Sequence, residues 1–126
     1  MDQEILVEDV QKVVTQLEQR DGPTRLAMLL ASDYELNDSW NLIVSSPGLD
    51  STSRAEAVRL VTDLLRRNVN RSHWPSFVQT TVLKTNDPFV RAVNQTFGTI
   101  RNPVSIENRS VSGTYINKAI LIKSRK

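Results

Sequence analysis

Between Leu64 and Ser76 the chain reads LLRRNVNRSHWPS, a stretch with its single histidine, one of its two tryptophans and three arginines. Cations beside an aromatic ring are the ingredients of nucleic-acid binding, guanidinium groups for phosphates and a flat surface for stacking. Arg66, Arg67, Arg71, His73 and Trp74 therefore make one candidate binding set, to which Lys118 and Lys123 add charge near the C-terminus. The same residues also have a purely structural reading. Asp63 stands three and four positions before Arg66 and Arg67, the spacing of helical ion pairs, and cations at a helix C-terminus complement its dipole. Trp74 followed by Pro75 could then simply seal the end of that helix.

A second candidate set lies in SSPGLDS, from Ser45, and in KTND, from Lys84. Each follows a segment that reads as a strand, and parallel strands place their carboxyl ends on one side of the sheet, where open α/β folds bind ligands. Ser45, Ser46, Asp50, Lys84, Asn86 and Asp87 would then converge beside two helix N-termini, whose free N–H groups attract anions. Turns and helix caps call for the same residue types, and nothing in either segment matches a phosphate loop, a nucleophile elbow or a dinucleotide fingerprint.

Catalytic constellations fare worse. A Ser-His-Asp triad would need His73 to reach Ser45 or Ser46 together with Asp50 or Asp87, yet His73 follows a helix and belongs at the opposite end of the strands. A metal-dependent nuclease would need several carboxylates around one ion, and only Asp50, Asp87 and Glu107 are candidates. With no cysteine and one histidine, thiolate and histidine-rich metal sites are excluded. The expectation is a protein without catalytic residues, metal or cofactor.

These residues must be positioned by the elements around them. A chain of 126 residues with 39% hydrophobic and 24% charged residues has the size and composition of one folded domain. Ile5, Leu6, Val10, Val13, Val14 and Leu17 recur at helical spacing, so a first helix is expected to end near Arg20. Asp21-Gly22-Pro23 interrupts it, and TRLAMLLAS reads as a short second helix, giving a helical hairpin over residues 1–32. The sheet-containing core should occupy 39–124. WNLIV from Trp40 reads as a strand, Ser53-Arg54-Ala55-Glu56 as a capping box opening a helix to about Asn68, and Phe77 to Lys84 as a second strand. Asp87-Pro88 starts another helix that Gly98 ends, and strands at Val104–Glu107 and Tyr115–Ile122 flank a Ser112-Gly113 hairpin turn. The fold class is thus α/β, with α+β as the variant: two helices, then β-α-β-α-β-β with a four-stranded mixed sheet.

Charge is distributed unevenly. Up to Asp63 there are 5 Lys/Arg and 12 Asp/Glu, and from Leu64 onward 11 and 2. Such polarity favours an interaction or regulatory module, non-enzymatic, that binds a protein partner or self-associates through complementary charge. Nucleic-acid binding by the basic half and an enzyme or anion site at the strand ends are the two alternatives. The acidic, periodic N-terminus is unlike a signal peptide, and no apolar run is long enough to span a membrane, so a cytoplasmic location is expected.

Overall fold

The computed structural model describes residues 3–31 and 39–125. Helix α1, Gln3–Asp21, buries Leu6, Val10, Val13, Val14 and Leu17 and leaves Thr15 and Gln16 in solvent, the division its periodicity predicts. It stops where Gly22 takes a φ of +81°, a left-handed conformation that glycine adopts without strain.

The next segment corrects the sequence reading. Leu26–Ala31 is strand β1, not a second helix, so the N-terminal unit is a helix followed by a strand rather than a helical hairpin. Ser32 and the polar Asp33–Asp38 stretch lie outside the described residues. Leucine, alanine and methionine favour helices on their own. Here position overrides propensity: β1 is hydrogen-bonded on both sides, antiparallel to β2 (Trp40–Ser45) and to β5 (Thr114–Ser124). The sheet consequently has five strands in the order β3-β2-β1-β5-β4, one more than expected.

The remaining elements keep the expected β-α-β-α-β-β order, with a short helix and a 3-10 turn added and β4 longer than expected. A short α2, Pro47–Asp50, leads into α3, Arg54–Asn68, where the Ser53 hydroxyl accepts the Glu56 N–H at 3.2 Å. A 3-10 turn, Arg71–Ser76, carries the His73-Trp74-Pro75 sequence into β3, Phe77–Val82, which runs parallel to β2. Asp87 caps α4, Pro88–Phe97, by accepting the Phe89 N–H at 2.8 Å, and Gly98 ends it with φ +67°. Strand β4, Val104–Val111, then pairs antiparallel with β5 through the Ser112-Gly113 turn.

Two apolar layers enclose the sheet. On one face Ala27, Leu29, Trp40, Leu42, Val44, Ile120 and Ile122 pack under α1 and α3. On the other, Leu26, Met28, Ile43, Ala119 and Leu121 pack under Val90 and Val93 of α4. No described helix is long and apolar enough to cross a membrane.

The close seat of α1 on α2 yields a prediction. A Cβ on Gly48 would lie 2.7 Å from the Asp21 carbonyl oxygen and against the Asp21 side chain. Gly48→Ala should therefore cost about 1–3 kcal/mol, the usual penalty of overpacking, read as a lower urea midpoint. An unchanged midpoint would contradict this contact.

Candidate functional site

Because β2 and β3 are parallel, their carboxyl ends share one end of the sheet. Ser45, Ser46, Asp50, Lys84, Asn86 and Asp87 all sit there, as the sequence anticipates. Their chemistry is largely internal. The Asp50 carboxylate accepts both the Thr85 N–H, at 3.0 Å, and the Thr85 hydroxyl, while the Lys84 ammonium donates to the Asp50 carbonyl. These bonds clamp the loop after β3 to α2. Asp87 is engaged in its cap, and Ser45 and Ser46 are fully buried with hydroxyls that have no partner among the described residues.

Beside this clamp is an open cleft of about 470 Å³ that sequence reasoning missed, lined by Arg25, Thr85, Asn86, Arg91, Asn94 and Gln95. Arg25 arrives from the start of β1, where its N–H donates to the Ser45 carbonyl at 2.8 Å and its carbonyl accepts the Arg125 N–H at 3.1 Å. Arg91, Asn94 and Gln95 come from α4. Reading β1 as a helix hid the placement of Arg25. The exposed spacing of Arg91 and Gln95, four apart on a helix whose capping Asp87 was recognised, is the signal that could have found the rest.

The nucleic-acid set is divided by the fold. Arg66 and Arg67 lie exposed in the last turn of α3, and Arg71 stands over the Trp74 ring at 5.6 Å. The Trp74 indole N–H donates to the Val69 carbonyl at 3.1 Å, which ties the 3-10 turn to the end of α3. His73 is half-buried, and its Nδ1 has no partner among the described residues. Lys118 and Lys123 lie three strands away on β5. Lys118 is 5.9 Å from the Trp40 ring centroid, and Lys123 pairs with Glu18 of α1 at 3.8 Å. Lys123 is thus taken up by α1, whereas Lys118 reaches across the sheet to Trp40, the β2 residue paired with Phe77.

The catalytic combinations are not assembled. His73 precedes β3, whose first residue pairs with Trp40, whereas Ser45 and Ser46 lie at the other end of β2, about 17 Å away for a six-residue strand. Glu107 faces Lys118 at the far side of the sheet from Asp50 and Asp87. Among the described residues no three carboxylates or histidines are placed to hold a metal ion.

A further surface surrounds β3, an edge strand. Its sequence, FVQTTV, has no charged residue and no proline, and Val78 is 54% exposed. The opposite edge, β4, is blunted by Glu107, Arg109 and a left-handed Asn108 with φ +49°. On β3 the register slips only at its start, where Phe77 faces Trp40 and Gln79 faces Asn41. The Leu83 N–H donates to the Val44 carbonyl, so by alternation the N–H groups of Thr80 and Val82 point away from β2. Next to this edge, Thr62, Leu65, Arg66, Trp74, Phe77 and Thr80 line a narrow groove between α3 and the sheet.

The Asp50 clamp is testable by itself. Asp50→Ala leaves the Thr85 amide and hydroxyl without their acceptor and should lower stability by about 1–3 kcal/mol, seen as a lower urea midpoint with an unchanged slope. A wild-type midpoint would show that the clamp carries no weight. No family model matches this chain, and no curated protein or solved structure matches it either.

Proposed function

We propose that the protein is a non-enzymatic interaction module that binds an extended segment of a protein partner along β3. The observation that carries this reading is the contrast between the two sheet edges, β4 blunted by charge and a left-handed residue, β3 uncharged with outward N–H groups at Thr80 and Val82. An added strand would complete those hydrogen bonds, and its alternate side chains would enter the groove formed by Arg66, Trp74, Phe77 and Thr80. Trp74, 36% exposed and fixed by its bond to Val69, supplies a preorganised aromatic contact.

Charge narrows the partner. Exposed Arg66, Arg67 and Arg71 lie at the entry to β3 and Lys84 at its exit, with no exposed carboxylate on the strand itself. An extended segment with acidic residues flanking a β-branched or aromatic centre is complementary to that arrangement. Two copies joined through β3 would bring the same cations together, so the isolated protein is expected to be a monomer in low salt by light scattering.

Selection of random displayed peptides on the immobilised protein tests the reading. It should enrich β-forming sequences with acidic flanks. Their affinity should drop about tenfold or more for Thr80→Pro, which removes an outward N–H, and for Val78→Glu, which repels the acidic flanks. Enriched peptides that bind both variants as tightly as the parent, or enrichment of no β-forming sequence, would overturn it.

A further inference from the structure

The cleft at the other end of the β2-β3 pair is independent of that edge, and we infer that it is a binding site for the phosphoryl group of a small polar molecule. Two guanidinium groups reach it from different parts of the fold, Arg25 from the residue just before β1 and Arg91 from α4. Among the described residues neither has an ion-pair partner. Among the described residues no carboxylate lines the cleft. Two carboxylates on the adjoining loops are already engaged, Asp50 by the Thr85 amide and hydroxyl and Asp87 by the Phe89 amide.

The site is built rather than a chance meeting of surface side chains. Arg25 is held through its backbone on both sides, to Ser45 and to Arg125. Asn94 is nine-tenths buried, and its Oδ1 accepts the hydroxyl of fully buried Ser124 at 2.9 Å. That bond fixes the amide so that its NH₂ group is left as a donor for the cleft. Thr85 is held by Asp50 and carries Asn86 with it. Fixed donors and unpaired guanidinium groups are what a phosphoryl group needs, because each charge-assisted bond forms without a further ordering cost.

The rest of the lining argues for a small ligand over a polymer. Three amide side chains, Asn86, Asn94 and Gln95, complement hydroxyl, amide or heterocycle edges, and none of the described lining residues offers an aromatic ring for base stacking. A volume of about 470 Å³ lies within the range of small-molecule sites.

Amide chemical-shift titration of the full chain with inorganic phosphate and pyrophosphate, against sodium chloride at equal ionic strength, decides the matter. Phosphate should produce saturable shifts centred on Thr85, Asn86, Asn94 and Gln95 with a Kd of about 1 mM or tighter, and chloride should not. Arg25→Gln and Arg91→Gln should each weaken binding about tenfold while thermal unfolding stays as in the parent. Arg91 lies on the exposed face of α4, so Arg91→Gln remains decisive if Arg25→Gln destabilises the sheet end. Shifts that chloride reproduces, or saturable binding untouched by Arg91→Gln, would overturn the proposal. So would steeply salt-dependent binding of an oligonucleotide without saturation by free phosphate.

Discussion

The architecture depends on one constraint: β1, β2 and β5 are apolar on both faces and must be covered on both. Leu26 and Met28 point to one layer and Ala27 and Leu29 to the other, and all four are completely buried. A sheet of this kind cannot stand against a single helical layer, because half of its apolar surface would stay in water at roughly 25 cal/mol per Å². Helices α1 and α3 therefore close one face and α4 the other. The sheet ends and edges are what remain for binding, and both surfaces proposed above lie there.

The same constraint explains which parts of the fold were legible in the sequence. Helices α1, α3 and α4 announce themselves because each has one wet face, so apolar spacing, the Ser53 and Asp87 caps and the Gly98 stop agree with one another. The parallel β2-β3 pair and the β4-β5 hairpin follow from the connections between them. LAMLLA was misread because a strand buried on both faces has no alternation, and a short apolar run of good helix formers looks helical. That error carried through to the site. With Leu26–Ala31 as a helix, Arg25 has no reason to meet Arg91, and the sheet-end residues stand without the cleft beside them.

Charge shows how a sequence-level asymmetry is converted into local contacts. Several carboxylates of the acidic half have internal tasks: Glu18 accepts the Thr24 N–H and pairs with Lys123, Asp9 pairs with Lys12, and Asp50 holds Thr85. Cations of the basic half, among them Arg66, Arg71, Arg91 and Arg109, remain exposed. The polarity thus leaves cations at both proposed surfaces, and among the described residues neither the β3 strand nor the cleft lining carries a carboxylate. The LLRRNVNRSHWPS stretch resolves in the same terms. Arg66 and Trp74 border the β3 groove, Arg71 supports the tryptophan ring, and His73 turns partly into the fold.

Native-state hydrogen exchange on the monomer tests the central claim, that β3 is an open edge made to receive a strand. The account predicts fast exchange at the Thr80 and Val82 amides, and slow exchange, approaching the global limit, at Leu29 and Ile120 in the middle of the sheet. Protection of Thr80 and Val82 comparable to that of Leu29 would contradict it, because the edge would then already be closed.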